Sequence, residues 1–374
     1  MMKKIICFFI IIIMNSVFIV GCFSYKDINK VLFVTSVFVD INKNNNNPIM
    51  YVEAFKANIG GENEAGKDER LIFKGTGKTL LETVRDIALG SSFKLDYTQN
   101  KVVVFTQRAA EYGLDNFVDF FDRDQELLIR SYIAICIDDP EKIIKPNYKE
   151  ENYVGIYIRE LIDNIGASSR AMELPLNEFY NQRLIGDKIN IVTIIQKKKD
   201  VLQNQIEISG GAIIKDDKMV GVIKREEGQG FNFMMNSVKS GTLEPANPQE
   251  NNKFITLEIL NSKTNTKIEY DEKGIKLIKN IRVKTSLAEV QKQFTINDRS
   301  LKQLEQTTEN NIKKACYNIF YKFKDENLDV FDITEELYRK YPEKKVENIM
   351  EIIDLIVNVD VKVESANDTL NFGK

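Results

Sequence analysis

Cys22 is the residue whose setting most plainly prepares a reaction. It follows Ile19-Val20-Gly21, which close an apolar run that starts after Lys3-Lys4. An aliphatic residue three positions before a cysteine, with a small residue directly before it, is the pattern of a bacterial lipobox. The thiol accepts a diacylglycerol, Gly21 leaves the peptidase room at the bond, and the amine released by cleavage is open to acylation. Signal-peptidase recognition is thus expected at Ile19, Val20 and Gly21, and lipid attachment (S-diacylglycerol and N-acyl) at Cys22. The apolar run is short and wrongly flanked for a membrane span. Two or more acyl chains anchor stably where one is marginal, since each buried methylene contributes roughly 0.8 kcal/mol. The competing reading is an uncleaved N-terminal anchor with an incidental cysteine.

Other residues with chemical promise reduce to simpler roles. The chain has no His and no Trp, so a His-based triad, a zincin motif and an imidazole shuttle are all excluded. Lys74-Gly75-Thr76-Gly77-Lys78-Thr79 imitates a phosphate-binding loop, but the glycine such a loop needs five residues before Gly77 is Ile72. A turn followed by an N-cap is the expectation there. Asp115, Asp119, Asp122 and Asp124 match no calcium-loop spacing and suit a solvated helix face. Cys136, in an apolar run, and Cys316, on a stripe with Ile312, Ile319, Phe320 and Phe323, fit as small buried hydrophobes. No catalytic residue, metal ligand or cofactor is therefore assigned. Removing Lys3 and Lys4 with the leader takes the net charge from −3 to −5, an acidic balance that gives no footprint for nucleic acid.

The elements that must carry these residues follow from apolar periodicity. Residues 31–41 and 50–59 form a strand pair around the Asn/Pro-rich turn 42–48, and a short strand follows at 71–73. A helix opens at Thr76 or Lys78, runs to Leu89 and stops at Gly90. Next come a strand at 101–106, a helix at 108–122, a strand at 127–137 and a mostly helical stretch from 140 to 185. Strands at 189–195 and 205–214 lead into a hairpin over 211–223 that turns at Asp216-Asp217. Beyond it lie strands at 253–261, 265–270 and 276–285, helical regions at 287–324 and 344–357, and a closing strand at 359–363. Strands with helices inserted, but without regular βαβ alternation, imply an α+β fold of mainly antiparallel sheets with packed helices, in two to three domains. The expected division is a signal peptide 1–21 (removed), a lipidated tether 22–26, an N-terminal region 27–203 with an optional break near 140–150, and a C-terminal domain 204–374.

Several pieces occur together in a known order. Gly21-Cys22 and Asp27-Ile28-Asn29 precede a strand ending in Asp40, and Lys101–Phe105 follows the Gly75…Arg85 helix. Asp119-Phe120-Phe121-Asp122-Arg123-Asp124-Gln125-Glu126…Arg130 comes next, then the hairpin Gly211–Gly221 and a tail with Asp329–Ile333, Tyr341-Pro342 and Val359–Val363. This order resembles the Ger(x)C family, the lipoprotein C subunit of spore germinant receptors, over essentially the whole mature chain. Departures are Phe23 where the family usually has Trp, no Trp near the last helix, and no His before Lys101–Phe105.

The resemblance implies a non-enzymatic lipoprotein subunit required for the response to nutrient germinants. It implies membrane-embedded A and B subunits as partners, and lipid anchoring to the outer face of the inner (cell or spore) membrane. The alternative is a solute-binding lipoprotein serving a transporter, which would call for two similar α/β lobes. Arg123, Asp124, Glu126 and Arg130 stand out as candidates for a structural or partner-contact role. A local role is preferred, in which an arginine fixes the helix-to-strand corner; the other is an exposed docking patch.

Overall fold

β1 (Val31–Ile41) is buried at ten of its eleven positions, on both faces, which only a central strand can satisfy. The computed structural model, which describes residues 30–56, 70–123, 130–199, 201–271, 274–344, 346–366 and 371–372, puts it at the middle of the larger sheet. β2 (Pro48–Lys56) returns antiparallel after the asparagine-rich turn, with Asn46 left-handed at φ 57°. β3 (Arg70–Thr76) pairs outside β2, and α1 (Leu80–Leu89) folds back from it. β4 (Lys94–Asp96) and β5 (Val102–Thr106) then pair with β1 in parallel. α2 (Gln107–Tyr112) and α3 (Asp115–Arg123) lead to β6 (Tyr132–Cys136). α4 (Pro140–Ile144), α5 (Val154–Asp163) and α6 (Leu176–Gln182) lead to β7 (Ile189–Lys197), and the antiparallel pair β8 (Ile206–Lys215) and β9 (Lys218–Ile223) completes the sheet.

The path across this sheet is β3-β2-β1-β5-β6-β7-β8-β9, with β4 beside β1. Its middle is parallel and its flanks are antiparallel. One face is covered by α1 and α3 through Leu80, Ile87, Phe117 and Phe121. The other is covered by α4 and α5 through Ile143, Ile144, Val154 and Ile158.

A second sheet follows α7 (Arg225–Met234) in the order β10 (Thr242–Leu243), β11 (Ile255–Asp271), β12 (Gly274–Val290), β14 (Ile353–Ala366). β13 (Phe294–Thr295) pairs with β15 (Asn371–Phe372). α8 (Asp298–Asp325) lies on the inner face, its stripe of Ile312, Cys316, Ile319, Phe320 and Phe323 buried as the spacing demanded. α9 (Ile333–Lys340) and α10 (Ile349–Ile352) precede β14. The edge of β14 is not left open. Its N–H groups at Val357, Val361 and Val363 donate to Tyr317 Oη, Glu309 Oε1 and Glu305 Oε1 of α8, at 3.2, 3.2 and 3.1 Å. Acceptors at four- and eight-residue spacing on a helix thus blunt an edge that would otherwise template association.

The α+β class with antiparallel-rich sheets stands, but several boundaries move. The expected helix 108–122 is two helices, broken at Gly113, whose φ of 138° suits no residue with a side chain. The hairpin after residue 204 pairs with β7, so the first sheet continues past residue 203. Residues 140–163 share a core with Phe38, Val104 and Cys136, which removes a break near 140–150. β11 is one strand where two were expected, with a bulge between Ile259 and Asn261. Residues 287–290 extend β12, and the helix starts only after its N-cap Asn297. The expected helix 344–357 keeps four helical residues. From Ile353 the burial alternates, Leu355, Val357, Val359 and Val361 in, Asp354, Ile356, Asn358 and Asp360 out, and a period of two makes a strand.

Candidate functional site

Parallel strands expose their carboxyl ends to one edge, where open α/β sheets commonly place ligands. Here the ends of β1, β5 and β6 border a cleft of about 860 Å³. Asp40, buried at the end of β1, accepts from Thr106 Oγ1 at 2.6 Å and from Arg108 Nη2 at 2.5 Å. Across the cleft Glu141 accepts from Tyr51 Oη at 3.2 Å, Lys74 Nζ at 2.9 Å and Lys145 Nζ at 2.5 Å. The two lysines lower its pKa to about 2. Cys136 also borders the cleft, but its thiol donates to the Asp138 carbonyl, and burial pushes its pKa up to about 12. A neutral thiol is a poor nucleophile.

The most heavily provided charge is Glu53, on β2. It is fully buried, and its carboxylate accepts from Thr35 Oγ1 at 2.6 Å, Ser36 Oγ at 3.3 Å and Arg70 Nε at 2.5 Å. It also accepts from the backbone N–H of Val154 and Gly155, both at 2.9 Å, the first residues of α5. A carboxylate on a strand therefore caps a helix from the next layer, satisfying orphan donors and meeting the positive end of the helix dipole. Arg70 carries the link further, donating to the carbonyls of Pro146 and Ile144. Gly155 permits the approach, because a Cβ there would lie 2.1 Å from the Thr35 carbonyl oxygen.

The second sheet buries ionisable groups too. Asp329 accepts from the N–H of Ile333 at 3.0 Å and Thr334 at 2.6 Å, closing the start of α9, and burial raises its pKa. Lys279 lies on the core face of β12 between Leu277 and Ile281, 3 % exposed, with Nζ donating to Thr266 Oγ1 at 2.9 Å. Burial lowers its pKa to about 8, against the pull of Glu336, Asp332 and Asp329. Between the sheets lies a cavity of about 410 Å³, floored by Met172, Ile189, Ile191 and Phe231 and rimmed by polar side chains. Lys239 and Glu173 on that rim pair at 3.0 Å. The buried hydroxyls facing carboxylates, Thr35, Ser36 and Thr106, meet groups already held by arginine, so these contacts lock structure and activate no nucleophile.

Of the residues singled out in the sequence, Ile19, Val20, Gly21, Cys22, Asp124 and Glu126 lie outside the described residues. Arg123 is 79 % exposed and holds Asp119 four residues earlier at 2.8 Å; Arg130 is exposed. Arg123 thus bonds a nearby carboxylate, but within its own helix. The Gly-Lys-Thr stretch is the expected turn and cap. Thr79 accepts from the Glu82 N–H and Glu82 from the Lys78 N–H, while a Cβ on Gly75 would meet Ile87 at 2.5 Å. Cys136 and Cys316 are buried free thiols. No motif marks Glu53, Lys279 or the Asp40–Arg108 pair in the sequence, and Asp329 stands there only as part of the tail pattern. Two of these leave a trace: Glu53 interrupts the apolar run of β2, and Lys279 breaks the alternation of β12.

The first of two family models, the spore germination protein N-terminal domain, matches residues 24–197. The second, the spore germination B3/GerAC-like C-terminal domain, matches residues 209–367. Spore germination protein GerQC of Bacillus cereus is 24 % identical over 98 % of this chain and 100 % of its own length. Spore germination protein KC of Bacillus subtilis is 20 % identical over 90 % of this chain and 88 % of its own. The crystal structure of the GerBC protein shares the fold, with a TM-score of 0.57 and 16 % identity over 88 % of this chain and 97 % of that one. With both models matched in order along nearly the whole chain beyond Cys22, this protein belongs to the Ger(x)C family of spore germination proteins.

Proposed function

We propose that this chain is the lipid-anchored, non-enzymatic C subunit of a spore germinant receptor, required for the response to nutrient germinants. One observation carries the proposal. The family match begins at residue 24, two positions after the lipobox cysteine, and two domain models then account for the chain through residue 367. The protein works on the outer face of the inner membrane beside membrane-embedded A and B subunits. The buried carboxylates support a scaffold over a catalyst, since Glu53, Asp40 and Asp329 spend their oxygens on arginines, hydroxyls and helix ends. The solute-binding alternative calls for two like lobes, whereas a nine-stranded and a four-stranded sheet differ in size and strand order.

The test replaces the gene with a Cys22→Ala allele in spores and follows nutrient-triggered loss of optical density, palmitate labelling and co-purification of the A and B subunits. The expected result is an unprocessed, unlabelled precursor, less receptor in the spore membrane and a slowed response. A variant still acylated and processed would remove the anchor from the proposal. Normal nutrient response in a complete deletion would remove the receptor role, provided no second copy of the gene remains.

A further inference from the structure

The chain that joins the anchor to the fold is short. Cys22 and Lys30 are eight residues apart, which spans at most about 29 Å fully extended. If Cys22 carries lipid, as proposed above, the rim of the large sheet where β1 begins stays within that distance of the membrane surface. The register fixes what else lies on this rim. Val31 pairs with Lys94 of β4, and Leu32 pairs with Lys56 of β2. Strands about 4.8 Å apart then bring Lys30, Lys56 and Lys94 to the ends of three adjacent strands.

Lys30 and Lys94 are exposed, and the ammonium of Lys56 lies 4.9 Å from the centre of the Phe93 ring. Apolar groups accompany them. Leu89, at the end of α1 and five residues before Lys94, is 89 % exposed. Phe33 and Phe55 are half-buried with ring centres 5.5 Å apart. Asp96, two residues on from Lys94, is buried and accepts from the Thr98 N–H and hydroxyl. Cations at a surface beside half-buried aromatics match an anionic interface, and one lipid attachment plus a basic patch is a recognised two-signal anchor.

We infer that the β1-starting rim is the membrane-facing surface, with Lys30, Lys56 and Lys94 meeting the headgroups of anionic phospholipids. Each lysine near such a surface favours contact about fivefold, so reversing all three lowers the contact equilibrium more than roughly a hundredfold. One feature of the sequence opposes this. The segment 57–69 carries Glu62, Glu64, Asp68 and Glu69 against Lys67, and if it governs the rim an anionic surface repels it.

The experiment uses the full lipidated protein in vesicles of phosphatidylcholine, with or without phosphatidylglycerol. A fluorophore is placed at Ser92→Cys, exposed beside Lys94, or at Asn44→Cys, exposed in the turn at the opposite end of β1. Cys136 and Cys316 are buried and leave the label to the new thiol. Quenching by headgroup spin-labelled lipid is expected at position 92 in vesicles containing phosphatidylglycerol and not at position 44. In Lys30→Glu/Lys56→Glu/Lys94→Glu it is expected to fall to the level seen in phosphatidylcholine alone. Equal quenching at both positions, none at 92, or no response to the triple reversal overturns the inference. Mass spectrometry of the same sample separates the premises. An unacylated Cys22 brings down the anchor and this surface with it, whereas an acylated Cys22 without contact at 92 brings down the surface alone.

Discussion

Glu53 in the first sheet and Lys279 in the second are both charged residues removed from water, and they are provided for in opposite ways. Glu53 has two hydroxyls, two backbone N–H groups and a guanidinium around one carboxylate. For Lys279 the hydrogen bond goes to one hydroxyl, that of Thr266. A buried charge costs several kcal/mol in lost hydration, and only dense, well-aligned partners offset it. The first sheet therefore uses its buried charge as a bolt between β2, β3 and α5. The second carries its buried charge at a cost in stability. The difference teaches that a buried charge is informative only together with its partners.

The largest expected effect tests the bolt. Glu53→Gln turns one carboxylate oxygen into an amide N–H₂, which then opposes the N–H of either Val154 or Gly155, and strips Arg70, 11 % exposed, of its counter-charge. A loss of about 3–5 kcal/mol by chemical denaturation is expected. Gly155→Ala should also destabilise, because the new methyl would lie 2.1 Å from a backbone oxygen. A cost below about 1 kcal/mol for Glu53→Gln would mean that the network is decorative.

Lys279→Met tests the other half, and its sign is reversed. The folded pKa of about 8 lies below the ordinary lysine value of 10.5, so the unfolded chain binds more protons between these values. The penalty on the folded state is complete below pH 8 and vanishes as pH rises toward 10.5. The methionine variant should be more stable than the parent by about 3 kcal/mol at pH 7, with the advantage gone by about pH 10.5. Denaturation of both proteins from pH 7 to 10.5 reads the difference directly. A destabilised variant at pH 7 would mean that Lys279 is better solvated than its burial implies.

Asp329→Ala removes a carboxylate that closes the start of α9 and is expected to cost about 2 kcal/mol, measured the same way. The smallest effect belongs to the exposed arginines. Arg123→Ala breaks a surface pair on one helix, and the melting temperature should not move. Should it fall clearly, the helix-to-strand corner has a structural role after all. If it holds while co-purification of the proposed receptor partners is lost, the segment is a docking patch.

Local features were legible from the residues. The helix ending at Leu89 was legible from its apolar face, though it opens at Leu80 behind the cap Thr79 rather than at Thr76 or Lys78, and the stripe on α8 from its 3.6-residue period. Both depend on residues within a turn or two of each other. The tail 344–357 turns from helix to strand within its length, because Ile349–Ile352 is helical and the alternation begins only at Ile353, where pairing with β12 takes over. Parallel pairing in the middle of the large sheet was not legible, since β1, β5, β6 and β7 are brought together only by the intervening helices.

By itself, the sequence determined the exclusion of histidine chemistry and the α+β class, and it supplied the expectation of a lipobox at Cys22. Each of these depends on residue identity and short-range order. Tertiary structure alone decided the partners of the buried charges. Glu53 reaches Val154 across 101 positions, and Arg70 reaches Pro146 across 76. No periodicity encodes such a meeting. It follows from which strand lies beside which, and that is set by the summed burial of two cores rather than by any residue in the pair.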